Sequence, residues 1–431
     1  MSAIRVHELR WLARRFDGIA GINIDLPVSD TRLDICALPI AGWVIADGGE
    51  ELSVKVSARG GVLRRTPVRL ERRDVASCYG ATAEGPRVGF STRVGGLDLD
   101  RHFELTLSIV FPNGRTVEVA QIDGERDPIR IEVDEHFSPL MVTSWGRSGT
   151  TWLMALLMQD PRILVYPGYP HEVRTASYWW HAARVLSGAS DHIGSSHPDT
   201  FLENLRFVGH DPWYFEDAPL GDSMTDWRAG QPLSRIASFA KQMVDDFYCE
   251  LGRTVGKSGA CYFAEKCIPT HIPDLLFEFY PRAREIFLVR DFRDVMASVF
   301  AFNARRGVDG FGRSRYPDDA SFISAFARGP LATLTQSWTR RSGSSLLLRY
   351  EDLIGEPEVA LTKVMDYLAL PIDPGTARRM ASAASDVEDL GGHRTSNDAD
   401  GVGRWKVDLD DHLRDLCDEE FAGALEAFGY R

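Results

Sequence analysis

Residues 138–158 read SPLMVTSWGRSGTTWLMALLM. Leu140-Met141-Val142 is a short apolar run of the length expected for a buried parallel strand. A turn of small residues follows over 144–151, and Trp152 to Met158, with neither Gly nor Pro, reads as a buried helix. Strand, glycine-containing loop and helix N-terminus in succession make an anion cradle. The glycines let backbone N–H groups converge, and the helix end adds partial positive charge. Arg147 adds a full one. A Walker A loop requires G-x-x-x-x-G-K-[ST]. Here Gly149 is followed by Thr150, and the cation stands between Gly146 and Gly149. On this stretch alone an ordinary polar turn remains the alternative.

Working outward, the same strand-then-polar-residue pattern recurs. Cys261 to Ala264 is a short strand leading into Glu265-Lys266, and Glu285 to Val289 is a buried strand ending at Arg290. Ser345 to Arg349 is another, ending at Tyr350-Glu351-Asp352. Arg162 to Tyr166 reads as a strand before the rigid turn 167–172. Helices are expected over 231–250, 272–280, 295–303 and 357–369, with a loop rich in Gly, Arg and Asp at 304–320. Alternation of strands and helices predicts an α/β fold with a doubly wound parallel sheet. Ligands of such sheets bind beyond the carboxyl ends of the strands. The glycine loop, Glu265-Lys266, Arg290 and Tyr350 are therefore expected to share a site.

Upstream the texture differs. From about residue 31 to 133, short strands alternate with turns. Alternating His102 to Val110, the turn Pro112-Asn113-Gly114-Arg115 and Thr116 to Val119 form a hairpin signal. The regular spacing suggests a β-sandwich. Nearer the start, Val6, Leu9 and Leu12 fall at helical spacing and suggest a short helix. Asp134-Glu135-His136 is a polar hinge, which divides the chain into a sandwich domain, 1–136, and an α/β domain, 137–431.

With 49 Lys and Arg against 62 Asp and Glu the net charge is −13, which disfavours a nucleic-acid role. An anionic ligand must then be held by a local basic cluster. The six cysteines are scattered without a C-x-x-C pair, as suits reduced structural thiols; no metal cluster is expected. No run of apolar residues is long enough for a membrane span, and the charged N-terminus has no signal-peptide core. A cytoplasmic protein is the expectation, with peripheral contact to a membrane-bound acceptor left open. Residues 173–217 are rich in aromatics, among them Tyr178, Trp179, Trp180 and Trp213. They suit either core packing or the wall of an acceptor pocket.

Gly-Arg-Ser-Gly-Thr-Thr-Trp over 146–152 resembles the 5′-phosphosulfate loop of sulfotransferases, and its Arg-Ser-Gly form resembles glycan-type members. Arg290 followed in the next helix by Ser298 resembles the family's 3′-phosphate motif; a guanidinium and a hydroxyl so placed can hold a phosphate. Tyr350-Glu351-Asp352-Leu353 is similar to the family's strand end whose Tyr lies near adenine. Gly403-Arg404-Trp405-Lys406 is similar to the segment that closes over the nucleotide, and Glu265-Lys266-Cys267-Ile268-Pro269 to the Glu-Lys-Thr-Pro segment of many bacterial and glycan enzymes. The resemblance covers about 138–431 and implies the donor 3′-phosphoadenosine 5′-phosphosulfate (PAPS), with adenosine 3′,5′-bisphosphate (PAP) as product and no metal in the chemistry. The region before it looks like accessory sandwich domains of bacterial glycan-modifying transferases, on Gly42-Trp43-Val44, Arg73-Asp74-Val75 and Gly89-Phe90. Bracing or oligomer contact is favoured for it over sugar binding.

The resemblance implies that Gly146, Arg147, Ser148, Gly149, Thr150 and Thr151 cradle the 5′-phosphosulfate. Trp152 and Tyr350 would lie by adenine, and Arg290, Ser298, Arg404, Trp405 and Lys406 would complete nucleotide binding. Arg147 and Lys266 would stabilise the leaving group. The family position often held by a basic His falls on Ile268, so Glu265 is the expected base, with His271 in reserve. The usual Arg-Lys-Gly is replaced by Asp398-Ala399-Asp400, which leaves Arg394, Arg404 or Lys406 to hold the 3′-phosphate on that side. The expected reaction is sulfuryl transfer to a hydroxyl, less readily an amine, of a sugar-containing acceptor such as a glycan, glycolipid or glycosylated metabolite. A lipid or phenolic acceptor is the alternative; a P-loop kinase or a non-catalytic nucleotide-binding protein is remote from this pattern.

Overall fold

The computed structural model describes residues 4–33, 36–59, 61–75, 87–188, 221–269, 275–385 and 401–430. They form two compact units, Met1–Val133 with Trp179–Gln242, and Asp134–Tyr178 with Met243–Arg431.

The first unit carries two antiparallel sheets. Strands β1 (Ile4–Trp11), β2 (Ile19–Leu26), β3 (Thr31–Leu33), β4 (Ala37–Ala46), β5 (Ser53–Ala58), β6 (Gly61–Pro67), β7 (Gly89–Gly95), β8 (His102–Val110) and β9 (Thr116–Arg126) divide into the orders β3-β1-β9-β8-β5-β6 and β2-β4-β7. Alternate residues of each strand enter one core: Leu38, Ile40 and Val44 from β4, Val54 and Val56 from β5, Leu105, Leu107 and Ile109 from β8. The β8–β9 hairpin turns at Gly114, whose φ of 84° suits glycine. The short helix expected near the start is instead β1. Ile4 and Val6 are buried two residues apart, and the strand pairs with β9 along its length, so tertiary pairing overrides the three-residue spacing.

The second unit is the α/β layer. Its strands are β10 (Ser138–Thr143), β11 (Ile163–Leu164), β12 (Tyr262–Cys267), β13 (Arg284–Val289) and β14 (Leu346–Arg349). All pair in parallel, in the order β11-β12-β10-β13-β14. Both faces are covered, as parallel sheets require, and β13 shows how. Ile286 and Leu288 face a core shared with Leu153, Leu156, Val364 and Met380, whereas Phe287 and Val289 face another with Phe292, Val295, Phe326 and Phe421. The fold is therefore the doubly wound parallel sheet expected, preceded by an all-β region.

One boundary differs in a way that matters. Glu265 and Lys266 lie inside β12 and not beyond it. Pairing with β10 continues through Met141↔Glu265, Val142↔Lys266 and Thr143↔Cys267, so two charged residues are built into a fully buried strand.

Candidate functional site

β10 sits centrally and its next neighbour β13 lies across a change of strand order. The crevice beyond their carboxyl ends is where such sheets bind ligands. Two turns meet there: the loop 144–149, leading into α1 (Thr150–Leu157), and Arg290, leading past Asp291 into a second helix at Phe292–Arg306. Ser144 Oγ donates to the Leu288 carbonyl at 2.7 Å and ties the turns together.

The loop is strained where it faces the crevice. Arg147 has φ 71°, a left-handed conformation uncommon for a residue with a side chain. Gly149, φ 86°, is the N-cap of α1, and a Cβ there would stand 2.4 Å from the Tyr350 ring. Only glycine fits. The first turn of α1 carries no acidic residue to neutralise its N–H groups. Trp152 is partly buried against the sheet core, its indole N–H unpaired.

Around this loop the cations converge. Arg147 Nε donates to Ser298 Oγ at 3.1 Å, and its guanidinium lies 5.0 Å from the Phe302 ring centre. Arg290 donates from Nη1 to the Arg147 carbonyl at 3.1 Å and from Nη2 to the Gly401 carbonyl, with its guanidinium 4.5 Å over Tyr350. Arg290 is only 5% exposed, and its Nε has no hydrogen-bond partner. Burial, with the charges of Arg290 and Arg404 nearby, pushes the Arg147 pKa down to about 10. The Arg147 guanidinium thus carries a cost of ionisation that an anion would relieve. Arg404 is paired with Asp408, Trp405 lies 4.1 Å under the Arg293 guanidinium, and exposed Lys406 reaches 5.6 Å over Trp405.

Lys266 joins the cradle from β12. Its Nζ donates to Thr151 Oγ1 at 2.9 Å, to the Pro170 carbonyl at 2.5 Å and to Glu172 Oε1 at 3.3 Å. Burial pushes its pKa down to about 8, against the opposing pull of Glu172.

Glu265 is directed elsewhere. Successive strand residues point to opposite faces, and Glu265 shares a face with Phe263. It is 0% exposed. Its Oε1 accepts from the Ala176 N–H at 2.8 Å and the Tyr248 hydroxyl at 2.6 Å, and its Oε2 from the Ser177 N–H at 3.4 Å. Ala176 and Ser177 belong to the first turn of the helix Thr175–Ser187, and Tyr248 stacks on Phe263 with ring centres 4.0 Å apart. Burial raises the Glu265 pKa to about 7, with the N–H and hydroxyl donors opposing.

The structure therefore brings together Gly146 to Thr151, Arg290, Ser298, Tyr350, Arg404 and Lys266, and turns Glu265 to the other face of its strand. His271, Arg394, Asp398, Ala399, Asp400 and Trp213 lie outside the described residues. Glu172, missed in the sequence, is the carboxylate that meets Lys266, and its side chain is 47% exposed. The signal was its position: a carboxylate in the turn just past a short strand of a parallel sheet. Among the described residues no group of His, Cys, Asp and Glu is arranged to hold a metal, and no helix is long and apolar enough to cross a membrane.

A strand–glycine loop–helix cradle beside buried arginines on a parallel sheet is the arrangement of anion-binding α/β proteins. Residues 139–374 match the model of the sulfotransferase family, and the chain belongs to that family. No curated protein matches it. Similar solved structures include the sulfotransferase domain of the olefin synthase of Synechococcus PCC 7002, at 16% identity, covering 71% of this chain and 99% of that one with a TM-score of 0.38. Others are a retinol dehydratase in complex with androsterone and the inactive cofactor PAP (14%, 74% and 89%, TM-score 0.36) and a mouse sulfotransferase complexed with PAP (13%, 69% and 86%, TM-score 0.37).

Proposed function

We propose that the enzyme transfers the sulfuryl group of PAPS to a hydroxyl of a sugar-containing acceptor. The observation that carries the donor assignment is the convergence of Arg147, Arg290 and Arg404 on a loop where only Gly149 fits beside Tyr350. Two phosphates and a sulfate are the chemistry such a cluster suits, and the unpaired Arg290 Nε adds a donor of the kind a phosphate would take up.

In this reading the N–H groups of 148–151 and the Thr150 and Thr151 hydroxyls hold the 5′-phosphosulfate, and Arg290 with Ser298 holds the 3′-phosphate. Trp152 and Tyr350 flank adenine, with Arg404, Trp405 and Lys406 on the remaining side. The acceptor oxygen bonds to sulfur as the bond from sulfur to the 5′-phosphate oxygen breaks. Charge grows on that bridging oxygen, where Arg147 and Lys266 oppose it; one preorganised donor of this kind is worth about 3–4 kcal/mol. The acceptor proton passes to a carboxylate. Glu265 is the base expected from the sequence and has a pKa near that suited to the task. Glu172 is favoured by its exposure and by its place beside Lys266 on the loop side of β12.

A sugar acceptor is supported by the Arg-Ser-Gly loop and the Glu-Lys segment, with a lipid or phenol as the alternative. The experiment is a labelled-PAPS assay across sugar, lipid and phenol acceptors, with the product identified by mass spectrometry. Transfer to sugars is expected. Glu172→Gln should lower kcat by about 10²–10⁴-fold, and Glu265→Gln far less. The reverse order would return the base to Glu265, and transfer confined to phenols or lipids would overturn the sugar assignment.

A further inference from the structure

We propose that Asp294 is a positioning residue of the donor site, clasping the segment 401–405 so that Arg404 stands beside Arg147 and Arg290; the proposal rests on the donor reading above. Asp294 lies in the first turn of the helix Phe292–Arg306 and is 0% exposed. Two backbone N–H groups of the described residues donate to its carboxylate. The Gly403 N–H donates to Oδ2 at 2.7 Å and the Trp405 N–H to Oδ1 at 2.9 Å. These are the two residues that flank Arg404.

The same helix start grips the segment twice more. Arg290 donates to the Gly401 carbonyl, and the Arg293 guanidinium lies over the Trp405 ring. Positions 401, 403 and 405 are thus held by Arg290, Asp294 and Arg293. Arg404, between two held positions, is turned to Asp408, and its charge adds to the burial that lowers the Arg147 pKa. Gly403 has φ 72°, and a Cβ added there would meet nothing within 4 Å, so its place is fixed by backbone conformation and hydrogen bonding rather than by packing. Hydrogen bonds to an ionised carboxylate are about twice as strong as neutral ones, and the helix N-terminus favours the anion. A carboxylate bonded to main-chain N–H groups sets the path of a segment whatever its side chains are. It does so here from inside the Arg290 to Ser298 motif, on the segment that the family resemblance marks by Gly401 to Lys406.

The test compares the full-length wild type with Asp294→Asn, Arg404→Ala and the double variant. Asp294→Asn replaces one acceptor oxygen by a donor. It should raise the KM for PAPS and the Kd for PAP about tenfold, leave the acceptor KM unchanged and leave the melting temperature without ligand near that of the wild type. If the clasp acts through Arg404, the double variant should be no worse than the poorer single one. Hydrogen exchange should find the Gly403 and Trp405 amides protected in the ligand-free wild type and released in Asp294→Asn. A wild-type PAPS KM in Asp294→Asn, or additive effects in the double variant, would overturn the proposal. So would a matched rise in both KM values. Should Asp294→Asn fail to fold, amide protection in the wild type decides: fast exchange at Gly403 and Trp405 sinks the clasp. A wild type that binds no PAP would instead defeat the donor reading, while the exchange data still judge the clasp.

Discussion

Lys266 is a residue whose charge depends on its setting. Burial holds its pKa at about 8, well below the ordinary lysine value. Between about 8 and the unfolded value of about 10.4, the unfolded chain keeps a proton that the folded chain has released, so this group makes stability rise with pH across that window. Activity runs the other way. The cation is present below about 8, and only the cation can oppose charge on the leaving oxygen. The kcat/KM for PAPS, which reports the free enzyme, should therefore fall as pH rises through about 8. Lys266→Arg should keep part of the activity and lose that alkaline limb, because a guanidinium stays protonated. An unchanged limb in Lys266→Arg would assign it to another group. Lys266, Arg147 and Arg290 were legible in the sequence because each follows or ends an apolar run that had to be a strand. Glu172 was not, since its partner Lys266 is distant in the chain and the parallel pairing of β11 with β12 is what brings the turn after β11 to Lys266. The opposite fates of Glu265 and Lys266 follow from the strand reaching Cys267; read as a loop, the pair could face one way.

Among the elements, β13 does more than fill the core. Its Glu285, 1% exposed, accepts from Thr143 at the last position of β10, from Ser345 Oγ at 3.1 Å, and from Arg341 through Nε at 2.6 Å and Nη2 at 3.0 Å. One buried carboxylate thus joins β10, β13, the helix Ala332–Arg341 and the approach to β14, just before the glycine loop begins. Removing Arg341 would leave that carboxylate buried without its charged partner, which costs about 3–5 kcal/mol. Arg341→Met should lose about that much in chemical denaturation; a loss under about 1 kcal/mol would mean that the remaining hydroxyl donors or water suffice. The apolar strands themselves were legible, since Leu140 to Val142, Ile286 to Val289 and Leu346 to Leu348 have no other reading in an alternating chain. Charged strand residues were less so. Glu265 can sit in β12 because a helix N-terminus and Tyr248 supply its donors, and both are remote in sequence. The first strand was hidden for a related reason: Leu9 and Leu12 suggest a helix until β9 is present to pair with β1.

At the scale of the molecule, an acidic chain of net charge −13 brings Arg147, Arg290 and Lys266 to one loop. The strand order β11-β12-β10-β13-β14 puts the glycine loop and Arg290 at the same end of neighbouring strands, and this makes two short motifs far apart in sequence into one site. The central claim is that this crevice takes a nucleotide bearing both a 3′- and a 5′-phosphate and not a metal-bound triphosphate. Titration calorimetry with PAP and with ATP–Mg²⁺ tests it most directly, on the wild type and on Arg147→Ala and Arg290→Ala. The wild type should bind PAP and not ATP–Mg²⁺, and each variant should weaken PAP by about tenfold or more. Binding of ATP–Mg²⁺ in preference to PAP, or PAP affinity indifferent to both arginines, would contradict it.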